Sequence, residues 1–141
     1  MIRALNATPD EVRLFLGNET GQLWRLGEDQ SHCPVAEDER GWYWQTPIRE
    51  EGFVFWDRVH IASPYQPGDV LWVREAWLVA ADMDGYSTFY RADGEDIPGP
   101  WHYSITMPRK HSRVDIEITA VAAKQVDDVW QWVFDWRRIK P

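Results

Sequence analysis

From Arg113 to Val121 polar and apolar side chains alternate for nine residues, the period of a strand with one face in the core and the other in water. Val129–Arg137, Ser87–Arg91 and the run from Phe53 through Ile61 are likewise rich in β-formers, and Val70–Trp77 is apolar enough to predict a central strand. The turn cluster Pro64–Asp69 precedes that strand. Asp93-Gly94 ends the one at Ser87–Arg91, before a loop Glu95–Pro100 with two prolines and two acids. Helical signals concentrate at Thr8-Pro9-Asp10-Glu11, where Thr8 caps, Pro9 loses nothing by lacking an N–H, and Glu11 returns a hydrogen bond. Val12, Leu14, Phe15 and Leu16 give this segment an apolar side and Gly17 ends it, so a short helix is expected over residues 9–16. Residues 27–40 turn acidic without either period, and 27–52 reads as an acidic loop region. Five or six strands and one early helix predict a mainly β fold with short helices (α+β), a small closed or nearly closed β-barrel, which is a solution that removes exposed edges.

A length of 141 residues suits one domain, residues 1–141. Ten Trp, five Tyr and five Phe are far more aromatic than usual, which implies either a core filled with rings or surfaces that stack on a ligand. The net charge of −8 opposes nonspecific grip on a polyanion. Charge is uneven, however: residues 1–100 hold 8 Lys/Arg against 18 Asp/Glu and residues 101–141 hold 7 against 5, so phosphate contacts are expected from the C-terminal third. Cys33 is the single cysteine, which excludes an internal disulfide and a cysteine-built zinc site. His32, His60, His102 and His111 have no metal-ligand spacing, so no metal and no cofactor are expected. No apolar run approaches a membrane span and Met1-Ile2-Arg3 does not open a signal peptide, which predicts a cytoplasmic protein without a membrane partner.

Pro64–Trp77 (PYQPGDVLWVREAW), Tyr90–Gly94 (YRADG), Met107–Thr119 (MPRKHSRVDIEIT) and Trp132–Ile139 (WVFDWRRI), in this order, resemble phage and prophage ASCH-domain proteins of the PUA-like superfamily. The resemblance implies a PUA-like barrel, in a superfamily whose members bind RNA, modified bases or nucleosides and some of whose ASCH members are amidohydrolases on acylated cytidine. It also implies a departure. The family's Gly-x-Lys-x-x-Thr-x-Arg aligns with Val12–Leu26, where Arg25 is kept but Thr20 stands for the lysine and Leu23 for the threonine. A threonine offers no amine and a leucine no polar group, so the amidohydrolase chemistry is expected to be lost. The acidic partner of that chemistry, which relatives carry between the positions of Val126 and Trp132, has no clear counterpart here.

Several residues retain the means to form a site. Arg109, Lys110, His111 and Arg113 make a cationic cluster suited to a phosphate or carboxylate, or else an ordinary solvated turn. Arg74 and Glu75 interrupt an apolar strand, so one of them points inward or into a cleft, or else forms a structural ion pair joining the barrel wall to a loop, and in either case Glu75 is the best surviving general acid or base. Arg25 and Arg91 are further cations for a ligand, Tyr65 and Trp77 are candidates for stacking a base, and Asp93 suits a turn. The expected function is recognition of RNA, single-stranded nucleic acid or a modified nucleotide without catalysis. Two other classes stay open. One is an acidic phage counter-defence protein blocking a host protein that handles nucleic acid, since an acidic face competes for a basic groove; the other is a nucleoside amidohydrolase working through Glu75 and water.

Overall fold

The computed structural model describes residues 1–82, 85–94, 97 and 99–140. Its centre is a five-stranded sheet built from both ends of the chain. Strands β1 (Ile2–Asn6) and β2 (Thr20–Leu26) flank the helix α1 (Pro9–Gly17). A three-stranded unit follows, β3 (Ala36–Asp38), β4 (Gly41–Glu50) and β5 (Phe53–Ile61), then β6 (Val70–Arg74) and the hairpin β7 (Trp77–Asp82) and β8 (Gly85–Tyr90). Strands β9 (Asp115–Val126) and β10 (Val129–Lys140) complete the order β1-β6-β9-β10-β2, with β1 parallel to β6 and the other neighbours antiparallel.

The helix forms as its sequence dictates. Glu11 N–H donates to the Thr8 hydroxyl at 3.3 Å and Thr8 N–H to the Glu11 carboxylate at 3.0 Å, a reciprocal cap that satisfies two free donors of the first turn. Val12 and Phe15 enter the core, whereas Leu14 faces solvent. The tail of the chain supplies most of the rest: Trp130, Trp132, Phe134 and Trp136, two residues apart on β10, are all buried against Leu23, Leu71, Val73, Ile116 and Ile118. Core filling thus accounts for six of the twenty aromatic residues, Phe15 and Tyr43 being the other two that are buried.

Three expectations need correction. The strands do not form a closed barrel but three sheets, because the five-stranded order ends at β1 and β2, which share no backbone ladder. A side chain spans the gap instead, Arg25 Nη2 on β2 donating to the Asn6 carbonyl of β1 at 3.1 Å. Second, the acidic region 27–52 is not a loop throughout: Gly41–Glu50 is a ten-residue strand turning back through Glu51 and Gly52, whose positive φ of 43° and 82° suits a two-residue hairpin turn. Third, Val70–Trp77 is broken at Glu75. The β6–β9 ladder runs out at Trp72–Asp115, and Trp77 pairs instead with Tyr90 in a separate hairpin. Within the loop expected at Glu95–Pro100, Glu95, Asp96 and Pro98 lie outside the described residues.

The base of the β4–β5 hairpin is tied by Asp38. Desolvation pushes this carboxyl upward, but the Arg40 N–H at 2.8 Å and the His60 and Arg58 side chains outweigh it and hold the pKa at about 2. A depressed folded value means the stabilisation is complete above the ordinary value of 3.8 and is lost as pH falls from there toward 2. Urea titrations at pH 5 and pH 2.5 are therefore expected to show less of a drop for Asp38→Asn than for the parent chain. Equal drops would remove Asp38 from the acid response.

Candidate functional site

The gap between β1 and β2 opens into a cleft of about 600 Å³, within the range that holds small organic ligands. Arg3 of β1 and Arg25 and Leu26 of β2 form two sides, the segment Ile61–Tyr65 a third, and Trp132 of β10 lines it as a buried aromatic surface. Tyr65 is wedged by an edge-to-face contact on Phe134, with centroids 5.2 Å apart, and the Arg3 guanidinium lies 5.4 Å from the Tyr65 ring. Arg3 also donates to the Pro64 carbonyl. Arg25 is held in a fork on Glu11, whose carboxylate takes bonds from both of its Nη atoms, so its charge is compensated while its position is fixed. Arg3, exposed, has no acidic partner among the described residues and is the cation free to meet an anion. Glu28 also lines this cleft and bars anions from one side. The Arg25–Glu11 pair separates it from a second hollow of about 490 Å³ bounded by Asn6, Thr8 and Ser104.

Glu75 sits elsewhere. It is 1% exposed and accepts Arg113 Nε and Nη2 at 2.9 Å each, while Arg113 Nη1 reaches Asp93 at 2.8 Å. The guanidinium lies 4.1 Å from the Tyr90 ring centre, and the Tyr90 hydroxyl donates to the His111 carbonyl at 2.7 Å. Burial raises the Glu75 carboxyl and the two Arg113 bonds oppose the rise. Burial likewise raises the Tyr90 phenol, with Arg113 pulling the other way. Every charged bond of this cluster is internal, and its members line neither of the two hollows above. It therefore ties the break after β6 to the start of β9 and the turn at Arg91–Asp93. Arg113 is thus engaged on two carboxylates rather than offered to a ligand, a correction to the cationic cluster read from the sequence.

The remaining candidates disperse. Arg109 and Lys110 are exposed on a 3-10 turn, Arg91 is exposed on another, and among the described residues none of the three side chains is in an ion pair. Arg74 donates from Nη1 to the Ile105 carbonyl at 3.2 Å, with a buried Nε that has no partner among the described residues, and lies 5.6 Å from the Trp72 ring. Trp77 is in contact with the rings of His102 and His111, at 4.9 and 5.2 Å, and its indole N–H donates to the Thr106 hydroxyl at 3.2 Å, away from the residues that line the cleft. Leu23 is buried in the core and Thr20 opens β2 at the surface. Of the sequence-predicted binders, only Arg25 and Tyr65 meet in one cleft, joined there by Arg3 and Trp132, which sequence reasoning did not single out. The pattern held no signal for Arg3, since an isolated arginine acquires meaning only from what the fold sets beside it.

No protein family, curated protein or solved structure matches this chain. Among the described residues no three His, Cys, Asp or Glu side chains are grouped to hold a metal ion, and no helix is long and apolar enough to cross a membrane.

Proposed function

We propose that the chain is a binding module of the ASCH, PUA-like kind that takes a nucleotide, free or within a single strand of RNA, in the cleft between β1 and β2. The observation that carries this reading is the convergence of Arg3, Arg25, Tyr65 and Trp132 on one cleft: guanidinium groups suit a phosphate, and rings beside them suit a base. A single uncompensated cation in the cleft and a net charge of −8 favour a short ligand over a long polyanion. On this reading the ligand is bound and not transformed. The one acid proposed from sequence for catalysis, Glu75, is occupied by Arg113 away from the cleft. The protein then works where nucleotides are plentiful, in the cytoplasm.

Titration with a panel of nucleoside monophosphates and short oligoribonucleotides at low salt tests this, because Trp132 lines the cleft and its fluorescence reports occupancy. Quenching is expected from at least one, and Arg3→Glu is expected to weaken it roughly tenfold to a hundredfold, the worth of one charge-assisted hydrogen bond. Arg3 is exposed, so the variant folds. Quenching that is identical in Arg3→Glu, or absent across the panel, would sink the proposal.

A further inference from the structure

A further hollow, of about 370 Å³, adjoins the nucleotide cleft. Ile61, Ala62 and Ser63 line both, so one three-residue segment is a wall common to the two. From Ile61 to Ser63 the backbone spans no more than about 7 Å, which is comparable to the step between successive phosphates of an extended strand. The wall carries no charge that would repel a phosphate crossing it. The aromatic linings meet as well: Trp42 of this hollow and Trp132 of the cleft are in edge-to-face contact, with centroids 5.7 Å apart.

The contents of this hollow repeat those of the cleft. Arg40, in the turn between β3 and β4, is exposed, and its guanidinium has no acidic partner among the described residues; Asp38 takes only its backbone N–H. Each hollow thus holds one arginine able to meet an anion, Arg3 in the first and Arg40 in the second. Trp42 supplies the flat surface. Its indole N–H is buried without an acceptor among the described residues, a costly state that a ligand oxygen or ring nitrogen would relieve. The exposed side-chain amide of Gln66, also without a partner among the described residues, offers a donor and an acceptor to a base edge. The hollow on the other side of the cleft has no such equipment, because its arginine is Arg25, already forked on Glu11. Glu37 lines the hollow of Arg40 as Glu28 lines the cleft, so neither is cationic enough for more than one phosphate.

We infer that the site takes two successive nucleotides of one strand. The first sits in the cleft between β1 and β2 with its phosphate toward Arg3; the strand crosses Ile61–Ser63, and the second places its phosphate at Arg40 and its base against Trp42. This rests on the nucleotide reading of the cleft and adds the length of the ligand and the direction in which it runs. Both contacts belong to one molecule, so the second adds affinity without a second loss of translational freedom.

Calorimetric titration at low salt with the four nucleoside 5′-monophosphates and the matching 5′-phosphorylated homodinucleotides tests it. At least one dinucleotide is expected to bind roughly tenfold tighter than its monophosphate, the worth of one further charge-assisted contact. Arg40→Gln is expected to abolish that advantage while leaving monophosphate binding as it was, whereas Arg3→Glu weakens both ligands. Arg40 is exposed in a turn, and an unchanged far-ultraviolet spectrum checks that the variant folds. If monophosphates bind and no dinucleotide binds more tightly, the cleft reading stands and the second subsite is wrong. A dinucleotide advantage that survives Arg40→Gln likewise overturns the second subsite. If neither kind of ligand binds, both readings fall together.

Discussion

Arg113→Met is expected to destabilise the fold by about 3 kcal/mol near neutral pH, because it leaves the Glu75 carboxylate buried without its cation. In a chain of this size that is a fall of roughly 6–12 °C in melting temperature. The sign of the pH dependence separates this cause from lost packing. Burial already lifts Glu75 above its ordinary value of 4.5, and removing Arg113 lifts it further. A carboxyl raised by folding costs stability above its folded pKa and nothing below its unfolded one, so the deficit should shrink as pH falls toward 4. Adding Glu75→Leu to Arg113→Met is expected to recover most of the loss, since apolar replacement of a whole buried pair is far cheaper than removal of one partner. A deficit that is constant with pH would mean that Arg113 matters for its contact with Tyr90 and not for its charge.

Gly27→Ala is expected to cost a similar amount for a steric reason. A β-carbon at Gly27 would lie 2.1 Å from Cζ2 of Trp130, closer than atoms approach, and Trp130 has nowhere to go. Its indole N–H donates to the Asp29 carbonyl at 2.6 Å, its backbone N–H to the Gln30 side chain at 3.0 Å, and it is 1% exposed. Overpacking at so fixed a ring belongs at the upper end of the usual 1–3 kcal/mol, about 3 kcal/mol. Gly17→Ala, at the end of α1 with nothing within 4 Å of the new atom, should by contrast be neutral or raise stability by up to about 1 kcal/mol. Thermal melts of the two variants give the comparison, and a Gly27→Ala melt matching that of Gly17→Ala would show that Trp130 is not seated against Gly27.

Local chemistry was legible in the sequence where a short segment decides its own structure. The Thr8–Glu11 cap, the strand at Phe53–Ile61 and the alternation beginning at Arg113 all appear, with β9 running on to Val126. The hairpin at Gly41–Ile61 was half hidden. Its turn is Glu51-Gly52 and not the stronger Asn-Gly signal, and its acidic neighbours made the first strand read as loop. Strand β1 gave no signal because its five residues become a strand through parallel pairing with residues almost seventy positions away. The site was legible only in part for the same reason: Arg25 and Tyr65 were named, but Arg3 arrives through that distant pairing. Glu75 stood out as a charge in an apolar run, but its partner Arg113 lies 38 residues later and only the fold brings the two together.

The order in which the central sheet is threaded has a consequence for synthesis. β10 is the only described strand that joins β9 to β2, and it carries four of the core's large rings. As the chain leaves the ribosome, α1 and the hairpins can form from neighbouring residues, but the sheet lacks its keystone until Trp136 has emerged. Nascent chains that stall earlier expose the bare edges of β2 and β9, so such products are clients for chaperones or proteases rather than partly working proteins.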